Sequence, residues 1–313
     1  MILKTSPHTI SVLQAVFVTV LWASSWVLIK FGLRASLPAL TFAGLRYVLA
    51  FLCLAPFILL SARNKAVIKS FTRNDWGRLA LLGIIYYTLT QGSQFLSLAY
   101  LPAAMASLLL NLTPLVVAFF GILFLREHPS IRQWLGIALT IIGVMVFFLP
   151  LDTQAVSLFG LSVALGGVIT NAASSLLGRQ VNRLESSSPL VITFISMGIG
   201  SVVLLLVGIF FQGFGALDLQ SWLIIAWLAV VNTAFAFTLW NHTLRTLSAV
   251  ESSVVNSLMM PQIAMLAYLF LGETLNGREI LGLVLVGLGV VIVQLRRQSS
   301  PAQAATPTES SAN

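Results

Sequence analysis

Residues 124–146 read FLREHPSIRQWLGIALTIIGVMV, and residues 270–293 read FLGETLNGREILGLVLVGLGVVIV. In both stretches a Gly follows the Glu by nine residues (Gly136 after Glu127, Gly282 after Glu273), and a second Gly follows seven later (Gly143, Gly289). The copies lie 146 residues apart, close to half of the 313-residue chain. Two similar apolar halves point to a membrane carrier with its binding site between them.

Composition agrees. The chain is 58% hydrophobic and 8% charged, with a mean hydropathy of +0.97. Soluble domains carry roughly 25% charged residues, so this chain has too few to cover a water-facing surface. The net charge of +8 does not call for nucleic acid, because basic residues gather in the cytoplasmic loops of membrane proteins. The single Cys53 excludes an intramolecular disulfide, and neither a metal nor a cofactor is expected. There is no phosphate-binding G-x-x-x-x-G-K-[ST] loop, and a membrane enzyme finds no His- or carboxylate-rich cluster to support it.

A helix crosses a bilayer with about 20 apolar residues. Ten runs fit: 10–33, 38–62, 76–98, 103–125, 131–149, 157–180, 189–212, 221–244, 249–271 and 277–295. The first reads as a span rather than a cleaved leader, and residues 299–313, rich in Ser, Ala, Thr and Pro, read as a disordered tail. With the N-terminus in the cytoplasm, thirteen basic residues fall on the inner side (Lys4, Arg63, Lys65, Lys69, Arg73, Arg78, Arg126, Arg132, Arg179, Arg183, Arg245, Arg296, Arg297) and two, Arg34 and Arg278, on the outer. This bias orients both termini inward, in a bacterial inner membrane. Trp76, Trp134 and Trp222 mark span ends. The expected fold is therefore an all-α membrane protein of ten transmembrane helices, arranged as two five-helix repeats, 10–149 and 157–295. Five is odd, so the second repeat is inverted relative to the first.

These residues resemble the EamA family of the drug/metabolite transporter superfamily. The likeness rests on a Pro in the fourth helix of each half (Pro114, Pro261), the Glu twelve or thirteen residues on, and the Gly pair that follows. It also rests on Leu21-Trp22-Ala-Ser-Ser-Trp26, Lys30 and the Phe-Ala-Gly-Leu-Arg46 segment. The resemblance covers residues 10 to about 295. It implies export of amino acids or other small metabolites by alternating access. The alternatives are a drug-efflux or other solute carrier of the same superfamily, or a non-transporting membrane partner. Several midplane cations would be needed for phosphorylated solutes, and only Arg46 qualifies.

Polar groups within spans are costly and face a cavity or a neighbouring helix. Tyr87, Gln91 and Gln94 recur at i, i+4, i+7 on the third helix, as a cavity wall or as glue between helices. The 146-residue shift maps them to Thr233, Phe237 and Trp240, an aromatic wall opposite. Trp22, Ser25 and Trp26 share a face of the first helix, with Trp26 a candidate lining residue. Ser24 and Ser25, like Ser174 and Ser175, allow close helix packing. Asn111 and Pro114 interrupt the fourth helix, and Asn256, Pro261 and Gln262 the ninth; Asn171 and Asn232 are further mid-span amides. Arg46 could meet a substrate carboxylate, snorkel or cap carbonyls, whereas Lys30 snorkels. Glu251 and His242 are the groups that could titrate in contact with a cavity, and uncoupled facilitated export or exchange stands beside proton antiport. Glu127 and Glu273 read as structural bonds to a neighbouring helix end. The partners expected are a small-molecule solute and the lipid bilayer.

Overall fold

The computed structural model describes residues 7–113, 115–117, 119–120, 130–149, 157–182, 189–243, 246–247, 255–256 and 258–294. Glu251, Pro114, Glu127 and the tail 299–313 lie outside the described residues. Every element among those described is helical: α1 Pro7–Arg34, α2 Ala39–Leu59, α3 Ala62–Ser70, α4 Arg73–Gly83, α5 Gln91–Tyr100, α6 Ala103–Leu110, α7 Ile131–Phe148, α8 Leu158–Asn182, α9 Pro189–Gln212, α10 Leu219–Ala229, α11 Ala236–Thr243, α12 Met259–Leu271 and α13 Gly277–Gln294. Among the described residues five helices are long and apolar enough to cross a membrane: His8–Arg34, Ala39–Leu59, Leu158–Gly178, Leu190–Gln212 and Leu219–Trp240. Trp134–Phe148 and Met259–Leu271 are apolar but shorter.

Helices suit lipid because each satisfies its own backbone. Two of the rods do so in an unusual way. Between α4 and α5 the chain passes through a π-helical segment, Ile84–Thr90, and between α10 and α11 through a second, Val230–Phe235. The segments start 146 residues apart, the same step as the sequence repeat. In the first, the Gln91 N–H reaches back to Tyr86 O; in the second, the Ala236 N–H reaches Val231 O. A π turn widens the helix by one residue, a device concentrated at functional sites. Hydroxyls occupy carbonyls five residues back: Thr90 Oγ1 donates to Ile85 O at 2.9 Å and Thr233 Oγ1 to Leu228 O at 2.8 Å.

The helices pack in pairs that exchange with one another when the halves are swapped. α2 lies along α9, and α7 along α13. The α4–α5 rod packs on α8 and α9, while the α10–α11 rod packs on α1 and α2. α6 meets α8, and α12 meets α1. Glycine sets the closest of these contacts. A Cβ on Gly143 would lie 2.7 Å from Val286 N and 2.9 Å from Gly282 O, so α7 and α13 touch backbone to backbone.

Helix ends explain several local features. The 63–75 connection carries a helix, α3, started by Ser61 Oγ accepting from Asn64 N–H. α4 begins with a capping box between Thr72 and Asp75, whose carboxyl is held below its usual range by the Thr72 side chain first. Pro261 marks a helix start inside the ninth span, because α12 begins only at Met259, after the turn residue Leu258. It sits in the first turn of α12, where a missing N–H has no intrahelical partner to lose. The fourth span is likewise interrupted, by a turn at Asn111 and Leu112 beyond the end of α6.

Candidate functional site

The centre of the bundle is polar where α2 meets the two π-bearing rods. Arg46, seven residues past the start of α2, is only 4% exposed. Its Nε donates to Thr233 Oγ1 at 3.1 Å. Its guanidinium lies over the Tyr47 ring at 5.1 Å and the Phe95 ring at 5.8 Å. The Thr233 hydroxyl accepts from Arg46 while donating to Leu228 O, so its polarity is fixed. Beside it, Tyr47 Oη donates to Gln91 Oε1 at 2.6 Å, and the Tyr47 ring meets Tyr87 edge-on at 5.5 Å. Among the described residues no carboxylate pairs with Arg46.

Below this cluster opens a cavity of about 200 Å³. The α4–α5 rod contributes Tyr86 and Tyr87, α8 contributes Ser174 and Ser175, α9 contributes Thr193 and Ser196, and Phe237 comes from the α10–α11 rod. Ser174 and Ser175 both donate to Asn171 O, which leaves their oxygen lone pairs free to accept. Sequence reasoning assigns that pair to packing. Two adjacent hydroxyls one turn below an amide, on the helix that faces Tyr87, was the signal for a lining role.

The other expected residues fall into separate groups. Phe237 and Trp240 pack on Trp22, with ring centroids 5.3 and 5.2 Å apart, and the Trp22 Nε1 is buried with no partner among the described residues. Asn232, fully buried, donates to Leu21 O and Ser24 Oγ and ties the second π segment to α1. Asn171 Nδ2 donates to Thr113 Oγ1 at 3.0 Å and holds α8 to the bend after α6. Asn111 bonds its own helix at Ser107 O. Trp26 is in the hydrophobic core. Gln94 is half-buried with no side-chain hydrogen bond among the described residues. Gln262 is half-buried with an unpaired Oε1, and Asn256 and His242 are exposed. The wall expected from 3.6-residue periodicity therefore splits. Tyr87 lies against Gly200 and Tyr47, and Gln91 bonds Tyr47, so these two stay together across the π segment, while Gln94 lies one turn further along α5.

The two ends of the bundle differ. At the end where α1, α9 and α12 finish and α2 and α6 begin, the helices are laced together. Glu273 accepts from Ala103 N at 2.7 Å and Ala104 N at 3.2 Å. α6 needs this cap, because its N-cap residue is Pro102 and makes no side-chain cap. Gly272, at φ 69°, turns the chain out of α12 so that Glu273 points back. Arg34 Nη2 donates to Leu271 O at 3.0 Å. Thr41 Oγ1 donates to Gly213 O at 2.7 Å. The cavity lies toward the opposite end, beside the first turns of α9.

The model of the EamA-like transporter family matches this chain twice, over residues 9–149 and 158–295. The uncharacterized transporter YvbV of Bacillus subtilis is 27% identical over 96% of this chain and 97% of its own. A protein of Salmonella typhimurium named "Probable amino-acid metabolite efflux pump" is 28% identical over 89% of this chain and 92% of its own. A solved crystal structure shares the fold, with a TM-score of 0.63 over 90% of this chain and 96% of that one at 16% identity. The chain is a multi-pass membrane protein and a transporter rather than an enzyme: it belongs to the EamA-like transporter family.

Proposed function

We propose that this chain exports small amino-acid-like metabolites across the bacterial inner membrane by alternating access. Ten spans in two inverted repeats surround a central site, with both termini in the cytoplasm. The observation that carries this reading is the one-sided closure. A hydroxyl- and ring-lined cavity lies toward one end, while hydrogen bonds between distant helices clamp the other. With the N-terminus inside, the clamped end is external and the cavity faces the cytoplasm, where an exporter loads. The swapped packing pairs, the matched π segments and the two matches of the family model support the repeat architecture. The Salmonella relative's name supports the solute class. The solute's polar head sits against Arg46 and Gln91, and its apolar part against Phe237 and the tyrosines.

Purified protein in liposomes loaded with a mixture of amino acids and related metabolites tests the function. Efflux followed by mass spectrometry should be at least about tenfold faster for one solute class than in empty liposomes, a modest figure for a site with charge-assisted contacts. If no solute leaves faster, the export reading fails.

The clamp makes a separate prediction. Glu273→Ala removes two charge-assisted bonds of about 1.5–3 kcal/mol each, enough to move a closed-to-open ratio by tenfold or more. A chain carrying Cys53→Ser and Gln94→Cys reports on this. Labelling of the thiol introduced at position 94 by a membrane-impermeant maleimide from the outside should speed up several-fold in the Glu273→Ala background. Unchanged labelling and unchanged transport would remove Glu273 from the gate.

A further inference from the structure

The elbow between α2 and α4 carries a surface that the transport reading does not use. α2 ends in apolar residues turned outward: Phe57 is 73% exposed and Leu60 83%. In a membrane protein such groups meet acyl chains. The chain then turns through α3, nine residues long. That is too short to cross a bilayer and too short to persist alone in water, so contacts must fix it. Val67 and Ile68 supply them by packing on the core, as does Phe71 just beyond. The Phe71 ring stands edge-on to Trp76 at 6.3 Å, and Trp76 is 41% exposed at the start of α4. An exposed Trp at a span end marks headgroup depth.

Along this elbow Arg63, Lys65, Lys69 and Arg73 are all exposed. Among the described residues none of the four has an ion pair. Among the described residues the acid nearest in sequence is Asp75. It is engaged by the Thr72 N–H and hydroxyl, and the cation that acts on it is Arg78. Four cations with no ion pair among the described residues thus lie within eleven residues, between the apolar end of α2 and Trp76.

We propose that this elbow binds the phosphate headgroup of an anionic phospholipid, with the acyl chains laid along Phe57 and Leu60. α3 is then a lipid-held strut. It joins α2, which carries Arg46 and Tyr47, to the rod that carries Tyr86, Tyr87 and Gln91, so an occupied elbow braces the helices that frame the central cluster. A soluble polyanion would need the cations on a water-facing surface clear of the bilayer, whereas here they border lipid-facing side chains. The inference needs only that the chain spans a membrane, and it stands whether or not the solute is an amino acid.

The test uses the full chain in detergent, with phosphatidylglycerol and phosphatidylcholine as probes and lipid retention read by native mass spectrometry. The native protein should retain phosphatidylglycerol over phosphatidylcholine by at least about tenfold, since each basic residue near a lipid surface contributes roughly fivefold. A variant with Arg63→Gln, Lys65→Gln, Lys69→Gln and Arg73→Gln should lose that preference while retaining phosphatidylcholine as before. A second variant with Lys65→Arg and Lys69→Arg should keep the preference, which separates lost charge from lost folding. Equal retention of the two lipids by the native protein would overturn the proposal. So would an undiminished preference in the Gln variant. Displacement of phosphatidylglycerol by inorganic phosphate alone would show a free-anion site and overturn the lipid assignment.

Discussion

Arg46→Gln is expected to lower transport at least about tenfold, because a hydrogen bond to a charged group is worth about 1.5–3 kcal/mol, while leaving the protein as stable as before or more so. The two halves of that expectation have one cause. Arg46 is 4% exposed, its protein partners are one hydroxyl and two ring faces, and no described carboxylate compensates it. A buried cation in that setting pays a desolvation penalty of several kcal/mol, and replacing such a group is often neutral or stabilising. The fold therefore gains little from it, whereas an anionic solute group reaching the cluster would gain a pre-positioned fork. Thermal unfolding in detergent and initial efflux rates from liposomes, measured on the same preparations, check this. The melting temperature should stay within about 2 °C or rise. A fall in melting temperature that parallels the loss of transport would instead make Arg46 a structural tie between α2 and Thr233. Arg46→Lys should lie between, since it keeps the charge but loses the Nε bond and the fork.

Much of the fold was legible because helix contacts in a membrane follow small residues. Gly136, Gly143, Gly282 and Gly289 showed which faces approach, and α7 and α13 meet along them. Arg46 and Gln91 stood out as costly groups in apolar runs, and both sit in the central cluster. Other features were not legible, for physical reasons. The π turns leave no mark in hydrophobic periodicity, because they are set by tertiary contacts such as Thr88 Oγ1 on Gly200 O and Asn232 on Leu21 O. The α3 helix is polar on most of its length, so periodicity passed over it, although Ser61 three residues before Asn64 was its cap signal. The Glu273 bond follows from a helix end that starts with Pro102 and has no cap of its own. Which helix end Glu273 would reach required the structure.

The π turns lead to the second large effect. Deleting Leu89, a lipid-facing residue of the first π segment at 46% exposure, is expected to lower transport about tenfold or more, since small misplacements of positioning groups are that costly. The protein should still fold. A π turn is one residue more than an α turn needs, so removing one residue restores i→i+4 bonding and leaves α4 and α5 on their present faces. What changes is the aim of Tyr86 and Tyr87 relative to Gln91, the geometry at the top of the cavity. Deleting Val202 from the middle of α9 is the contrasting case. That helix is regular, and losing one residue rotates everything beyond it by about 100°. Gly208 would then leave its place against the Thr41 backbone, and the α2–α9 pair would not form. The expected readout is a monodisperse, inactive Leu89 deletion beside a Val202 deletion that does not yield folded protein. Deleting Phe235 from the second π segment should behave like Leu89, because it moves Thr233 away from Arg46. A Leu89 deletion that transports at the native rate would make the wide turns incidental. One that fails to fold would show that they are not a removable insertion. The matched behaviour of Leu89 and Phe235 is the sharper expectation. Under the proposed alternating access each half re-aims its own rod, and a wide turn at the same place in both rods is the element common to them.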